Sequence, residues 1–172
     1  MSLGLRRGTV SLHPHDPAWL EAFSIAAREL RSIIGDEIDR IEHVGSTAIP
    51  DLPAKPILDV VVVVADLERA EALVPKIQSL GYEFKPDDPL AGRLFFVRGP
   101  EETRTHHLAV VEAGSESLTE YVAFRDALLA APALVEEYAD LKRALAKQYA
   151  DDRETYAEKK SVFIQSVLES TG

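Results

Sequence analysis

The stretch ILDVVVVVA, residues 57–65, decides the fold because it is apolar and largely β-branched from end to end apart from Asp59. A strand with one face in water alternates apolar and polar residues, whereas this uninterrupted run predicts a strand buried on both faces. An ionised carboxylate is costly to bury without a partner. Asp59 is therefore expected to be paired, to accept hydrogen bonds, or to lie at the open end of the sheet facing a positive charge.

Outward from this strand, the chain alternates helical and extended segments. Asp16-Pro17 is a typical helix start, and Ser117–Glu120 has the capping-box pattern, with Glu three residues after Ser. The predicted helices are 17–34, 67–80, 117–131, 132–149 and a last one from 152. The predicted strands are 40–44, 57–65, 82–85, 93–98 and 105–112. These elements predict a single α+β domain over residues 1–172, with an N-terminal helix, a mixed β-sheet of about five strands and a C-terminal helical layer.

The composition is that of a globular protein with an acid excess, since 19 Lys and Arg oppose 29 Asp and Glu for a net charge of −10. Most of that excess falls in residues 101–172, which hold 8 basic and 14 acidic residues. The acidic balance argues against a general nucleic-acid-coating role but not against a local basic pocket. The absence of cysteine excludes disulfides, thiolate metal sites and a cysteine nucleophile. No targeting or membrane-spanning segment is evident, so a cytoplasmic protein without membrane association is expected.

The tripeptide Gly45-Ser46-Thr47 follows the predicted strand 40–44 and precedes a segment, 48–56, that holds three prolines. A glycine turn with two neighbouring hydroxyls can bind a phosphate, and it can equally be a tight turn with a Ser or Thr cap. Its spacing is not that of a P-loop, which needs Lys-Ser/Thr after a longer glycine spacing. From these residues alone both interpretations stay open.

Asp59 also has two interpretations. It can form a salt bridge with a nearby Lys or Arg, or it can bind a divalent metal ion or act as a general base. Lys55 lies just before the strand and is either the partner of Asp59 or a phosphate contact.

A basic group lies in the near-neutral middle of the chain. Its members are Arg93, Arg98, Arg104, His106 and His107. Arginine suits phosphate because its planar guanidinium donates two hydrogen bonds at once, although each of these arginines taken singly is more simply solvated. Because adjacent residues on a strand point to opposite faces, at most one of the two histidines can enter a given site.

Four cations of the C-terminal helices could close over a ligand, but a solvated helix face is the favoured interpretation. They are Lys142, Arg153, Lys159 and Lys160. His43, three residues before Ser46, is interpreted as a loop-edge histidine whose hydrogen bonds are satisfied.

Two motifs resemble the signature of the GrpB-like family. They are IEHVGSTAIP at 41–50 and AKPILD at 54–59. The resemblance continues through 93–96, 104–108, 124–128, 138–142 and 156–160. It therefore covers nearly the whole chain.

The resemblance implies a fold similar to that of the nucleotidyltransferase superfamily, which includes DNA polymerase beta. In that superfamily a Gly-Ser motif after a strand holds nucleotide phosphates, and carboxylates on the following strands bind two divalent ions. This implies that Gly45 and Ser46 form the phosphate turn and that Asp59 is the first carboxylate. Related sequences fused to dephospho-coenzyme A kinase point to nucleotide metabolism. The second acid of the superfamily corresponds to Val61, and many relatives have His where this chain has Ala109, so the ligand set is incomplete.

The expected function is that of a nucleotidyltransferase-like protein that binds a nucleotide or another phosphorylated small molecule. In the enzymatic hypothesis Asp59 holds Mg²⁺ and His107 orients or deprotonates the acceptor of a nucleotidyl group. The alternative is a non-catalytic anion-binding or nucleotide-binding regulatory module that has lost the two-metal carboxylate set. The expected phosphate-binding residues are Gly45, Ser46, Thr47, Lys55, Arg93, Arg98 and Arg104. The acceptor and the oligomeric state stay open.

Overall fold

The computed structural model describes residues 3–171, within which the chain forms five α-helices and seven β-strands. The helices are α1 (Ala18–Ile34), α2 (Val74–Gln78), α3 (Glu116–Ala130), α4 (Pro132–Gln148) and α5 (Arg153–Thr171). The strands are β1 (Leu5–Arg6), β2 (Arg40–Val44), β3 (Leu58–Val64), β4 (Tyr82–Phe84), β5 (Arg93–Arg98), β6 (Thr103–Arg104) and β7 (His106–Glu112). Short 3₁₀ turns lie at Gly35–Glu37, Ser46–Ala48 and Arg69–Leu73.

Five strands form one mixed sheet in the order β2-β3-β7-β5-β4. Strands β3 and β7 run parallel, and the other neighbours in the sheet run antiparallel. Strands β1 and β6 form a separate two-stranded ribbon that the sequence did not predict. The predicted α+β class with a mixed sheet of five strands is confirmed.

Strand β3 lies between β2 and β7, and both of its faces are covered. Val60 and Val62 belong to an apolar cluster that includes residues of α1. Val61 and Val63 face the other way and belong to a cluster that includes Leu118 of α3. Since successive side chains of a strand point to opposite faces, a strand covered on both sides needs apolar residues at every position. The valine run 60–64 supplies them.

The C-terminal helices pack over the proline-rich segment that follows β2. Ile49 and Leu52 of this segment share an apolar cluster with Tyr138 of α4, against which Phe163 of α5 also packs. The rings of Tyr138 and Phe163 are stacked, with their centroids 5.1 Å apart. These contacts hold α4 and α5 beside the turn at residues 45–47. Among the helices within residues 3–171, none combines the length and the apolarity that a membrane span requires.

Two predicted helices differ in their bounds. The segment 67–80 is a 3₁₀ turn followed by the short helix α2, because the ring of Pro75 would clash with the carbonyl four residues earlier in a continuous α-helix. Helix α3 begins at Glu116, so its cap lies two residues before Ser117, the predicted cap. Its cap is Ser115, whose Oγ accepts a hydrogen bond from the Leu118 backbone N–H at 3.3 Å.

Replacing Leu30 by alanine is expected to lower the free energy of unfolding by about 2–5 kcal/mol, because truncating a buried leucine loses transfer energy and leaves a cavity. Leu30 of α1 belongs to the apolar cluster on the sheet, and 0% of its surface is exposed. The matched control on the same helix is Leu20→Ala, where the side chain is 63% exposed and a change within about 0.5 kcal/mol is expected. Urea unfolding followed by circular dichroism measures both, and equal losses would contradict the packing of α1.

Candidate functional site

A cavity of about 610 Å³ opens between the sheet and the C-terminal helices. On the sheet side it is lined by Asp59 of β3 and His107 of β7, which are directly paired across the two parallel strands. Helices α3, α4 and α5 contribute much of the remaining lining. Seven of the nine predicted site residues line this cavity, namely Gly45, Ser46, Thr47, Lys55, Asp59, Arg93 and His107.

The turn at Gly45 lies directly against the Asp59 carboxylate. Val44 is the register partner of Asp59, so the chain leaves β2 beside this side chain. Gly45 has a φ of 74°, and a Cβ at this position would come within 2.3 Å of Asp59 Oδ2. Glycine is therefore needed here both for the left-handed backbone and for the close approach of the turn to the carboxylate.

Asp59 is an ionised carboxylate at the floor of the cavity. Its side chain keeps 41% of its surface exposed because it borders this open space, and its Oδ1 lies 3.6 Å from His107 Nδ1. Burial by the surrounding protein acts to raise the pKa of Asp59, but contact with His107 and the positive charges of Lys160 and Lys55 outweigh it. The net result is a lowered pKa.

Lys142 of α4 is buried, with 2% of its surface exposed. Its Nζ lies 2.7 Å from Ser46 Oγ and donates to the Pro53 carbonyl oxygen at 2.8 Å. Burial, reinforced by repulsion from Lys160 and Lys55, lowers the pKa of Lys142 well below its ordinary value. The interpretation of Lys142 as part of a solvated helix face is wrong, because α4 packs onto the loop that follows β2.

Lys55 and Lys160 both lie close to a third side chain, Tyr156. Their Nζ atoms are 5.5 and 5.6 Å from the centroid of the Tyr156 ring. Burial and repulsion from Lys160 lower the pKa of Lys55 to about 7, and burial lowers the pKa of Lys160 as well. Within residues 3–171, neither lysine forms an ion pair with a carboxylate. Two lysines that form no ion pair within residues 3–171 therefore line the same cavity, where Asp59 is the carboxylate that acts on both of them at longer range.

Arg93 borders the cavity, but its charge is already matched. Its guanidinium donates to both carboxylate oxygens of Asp88, at 2.7 and 2.8 Å, and to Tyr121 Oη at 2.7 Å. It also stacks over the ring of Phe95, 4.1 Å from the centroid. Arg93 therefore helps to hold the cavity wall in place, and its positive charge is balanced by Asp88.

Arg98 and Arg104 do not reach this cavity. Arg98 lies on the opposite face of the sheet, where its Nη1 donates to Glu29 of α1 at 2.8 Å. Residues five apart on one strand point to opposite faces, which separates Arg98 from Arg93. Arg104 donates to Glu83 at 2.8 Å and to the Gly99 carbonyl at 2.7 Å, at the edge of a separate small cavity. His107 lines the main cavity and His106 does not, which agrees with the expectation that only one of these adjacent histidines can enter a given site.

The hydroxyl of Thr47 has a partner within the protein. His43 Nε2 and Thr47 Oγ1 are 2.9 Å apart and buried, and the His43 ring stacks on Phe23 at 4.6 Å between centroids. Burial lowers the pKa of His43 to about 4, so the ring is neutral near pH 7. His43 is thus hydrogen-bonded within the fold, and Thr47 joins the turn to it.

The donor set around Asp59 does not fit the two-ion site that the resemblance implies. Val61 and Ala109, which share its face of the sheet, carry no ligand atom. Lys55 and Lys160 place positive charge where a cation would bind. Across residues 3–171, no group of three or more His, Cys, Asp or Glu side chains could hold a metal ion.

The sequence did not identify the residues that α4 and α5 bring to this cavity. Lys142 is 96 positions from Ser46, so no local pattern links the two. The available signal was the lysines within the motif segments 138–142 and 156–160.

These features define an α+β protein whose mixed sheet and C-terminal helices enclose a lysine-lined cavity. The model of the family described as GrpB protein matches residues 9–170, and the chain belongs to this family. It is 34% identical over 170 residues to the glutamate-rich protein GrpB of Alkalihalophilus pseudofirmus, a match that covers 96% of this chain and 98% of that protein. The resemblance found in the motifs is thereby confirmed.

Other relatives are longer than this chain. It is 35% identical to the UPF0157 protein YqkA of Bacillus subtilis, over 91% of this chain and 45% of that protein. It is 36% identical to the UPF0157 protein PA4798 of Pseudomonas aeruginosa, over 92% of this chain and 66% of that protein. A dephospho-CoA kinase of Mycobacterium leprae is 28% identical over 87% of this chain and 43% of that protein. The chain thus spans less than two thirds of the length of these three relatives.

A solved structure shares the fold across almost the whole chain. The crystal structure of conserved protein GrpB from Enterococcus faecalis has a TM-score of 0.83 and 30% identity, covering 94% of this chain and 99% of that one. The Cid1 poly(U) polymerase has a TM-score of 0.47 and 12% identity, covering 76% of this chain and 45% of that one. At that level it supports no functional argument.

Replacing Gly45 by alanine is expected to destabilise the protein more than replacing Gly114. Both glycines have a positive φ, 74° and 79°, which strains any residue with a Cβ, and with a ψ of −176° Gly45 lies in a region that is adopted almost only by glycine. Only at position 45 does the new methyl group also meet Asp59, since nothing lies within 4 Å of a Cβ at position 114. Urea unfolding measures the difference.

The excess loss is expected to shrink when Gly45→Ala is combined with Asp59→Ala, because the colliding carboxylate is then gone. Equal losses for the two glycine variants would contradict the contact between the turn and Asp59.

Proposed function

We propose that the cavity binds the phosphate groups of a phosphorylated small molecule, with a nucleotide as the ligand class. The observation that carries this proposal is the pair Lys55 and Lys160, which line the cavity without a carboxylate partner among residues 3–171. An ammonium group that is partly removed from water and unpaired costs free energy, and an anionic ligand offsets that cost. A phosphate placed between the two lysines accepts charge-assisted hydrogen bonds from both.

The proposed phosphate contacts keep Lys55, which the sequence predicted, but not the turn or the arginines. In the turn, the hydroxyls of Ser46 and Thr47 already have partners in Lys142 and His43. Arg93 is occupied by Asp88. The lysines therefore supply the charge that the sequence pattern assigned to the turn and the arginines.

The other wall of the cavity suits the remainder of a nucleotide. Tyr121 and Phe124 of α3, with Ile164 and Leu168 of α5, give the cavity an aromatic and aliphatic side. Any nucleobase can stack on such a surface, because every base has a π-face. A volume of about 610 Å³ also falls within the usual range of small-molecule sites. The relative named dephospho-CoA kinase supports a phosphorylated ligand.

Metal-dependent nucleotidyl transfer stays a prediction. The side chains beside Asp59 are a histidine and two lysines, and that set favours an anion over a divalent cation. This observation favours the binding module, the second of the two functions that the sequence suggested.

Replacing Lys160 by glutamine is expected to weaken binding of ATP in the absence of Mg²⁺ by about tenfold or more, because a hydrogen bond between a charged donor and phosphate contributes about 1.5–3 kcal/mol. The matched control is Lys159→Gln, the neighbouring exposed lysine that lies outside the cavity lining, and its affinity should be unchanged. Isothermal titration calorimetry measures both variants, with inorganic pyrophosphate as a second ligand. No binding by the wild-type protein, or the same loss in both variants, would contradict the proposal.

Replacing Asp59 by asparagine is expected to tighten ATP binding without Mg²⁺, because it removes the negative charge that opposes a phosphate beside Lys55 and Lys160. Metal-dependent transfer predicts the opposite, with Mg²⁺ strengthening ATP binding by the wild type and Asp59→Asn abolishing that effect. Calorimetric titrations with and without Mg²⁺ separate the two functions.

A further inference from the structure

We propose that Ser46 and Lys142 form a nucleophile–base pair that attacks small carboxylic esters and produces an acyl-serine. This goes beyond ligand binding, because it assigns a covalent step to a serine that the resemblance places only in a phosphate turn. A serine hydroxyl is a weak nucleophile until a neighbouring base accepts its proton, and a lysine amine can be that base.

The hydrogen-bond geometry around Lys142 can accommodate a neutral amine. Its Nζ has two oxygen neighbours, the Pro53 carbonyl at 2.8 Å and Ser46 Oγ at 2.7 Å. The carbonyl can only accept, so it takes an N–H of the amine. The hydroxyl of Ser46 can donate as well as accept, and in the neutral state it donates to the nitrogen lone pair. The loop carbonyl thus orients the amine towards the serine.

The charges around Lys142 also favour its neutral form. It has 2% of its surface exposed, and it forms no ion pair with a carboxylate within residues 3–171. Burial comes first in lowering its pKa, followed by the positive charges of Lys160 on α5 and Lys55 before β3, while Asp59 on β3 opposes them. Tyr138 of the same helix lies with its ring centroid 5.2 Å from Nζ and carries no charge near neutral pH, since burial raises its pKa.

Both groups border the cavity, so a small substrate can reach them. Ser46 Oγ bonds to the carbonyl carbon of the ester as its proton passes to Lys142 Nζ. The bond from that carbon to the leaving oxygen then breaks, and the alcohol departs with the proton that Lys142 held. Water hydrolyses the acyl-serine in the same way, with Lys142 accepting and then returning a proton, which releases the carboxylic acid and restores Ser46.

A carbonyl carbon suits this pair better than phosphorus does. Asp59 lies against Gly45, the residue before the nucleophile, and its charge repels a dianionic phosphate at the point of attack. An ester carbonyl is neutral before attack. The negative charge that develops on its oxygen can be stabilised by Lys160 and by the protonated form of Lys55, which line the same cavity.

The test uses p-nitrophenyl acetate with the full chain. Release of p-nitrophenol is followed by stopped flow, and the site of acetylation is found by peptide mass spectrometry. The wild-type protein should acquire one acetyl group on Ser46. The rate should fall by about 10²-fold or more in Ser46→Ala and in Lys142→Arg, since general-base catalysis contributes about 10²–10⁴-fold. Ser117→Ala, which removes another serine of the cavity, should react like the wild type.

Arginine at position 142 keeps the charge and the donors but is never a base, so it separates a chemical role from a structural one. The pH profile adds a second separation. The wild-type rate should rise with pH as Lys142 loses its proton and level off well below pH 10.5, the ordinary lysine pKa. Acetylation confined to lysines, a Lys142→Arg variant as fast as the wild type, or a rate that climbs with hydroxide throughout would overturn the proposal. Circular dichroism and urea unfolding check that each variant folds.

Discussion

The cavity depends on the contact between the Gly45 backbone and the Asp59 carboxylate. Strand β3 is covered on both faces, so a charged side chain can be tolerated only near its end, where water or a polar group can reach it. The turn after β2 must then run beside that carboxylate, because Val44 is its register partner. A residue with a Cβ cannot take this path, and glycine leaves room for the turn to place Ser46 at the edge of the cavity.

Helices α4 and α5 add two lysine side chains to the cavity that the turn borders. Helix α4 brings Lys142 to the Ser46 hydroxyl, and α5 brings Lys160 to the cavity that Lys55 also lines. Their positions follow from apolar contacts such as the stacked rings of Tyr138 and Phe163. The favourable packing of α4 and α5 thus offsets the cost of placing the amino groups of Lys142 and Lys160 in a partly dehydrated site.

Much of the fold could be predicted because it rests on local patterns. The valine run gives β3, the Gly-Ser-Thr turn follows β2 as expected, and the motifs indicated the family that the comparisons confirmed. Strand alternation also correctly allowed only one of the two adjacent histidines into the cavity. The same alternation separates Arg93 from Arg98, and applying it there would have removed Arg98 from the expected site. The segment 67–80 shows the limit of such patterns, since one proline divides it into a 3₁₀ turn and a short α-helix.

The sequence by itself determined the individual strands, the glycine turn and the single carboxylate, because each depends on residues that are neighbours in the chain. Only the tertiary structure decided which charges meet that carboxylate. Lys142 and Lys160 look like members of a solvated face, since an isolated helix gives no measure of how deeply one side of it is buried. Their surroundings were decided by α4 and α5 packing onto a loop about 90 residues earlier in the chain, as in the bond from Lys142 to Pro53 (89 positions apart). Burial of their amino groups, which follows from that packing alone, turns ordinary surface lysines into candidates for binding and chemistry.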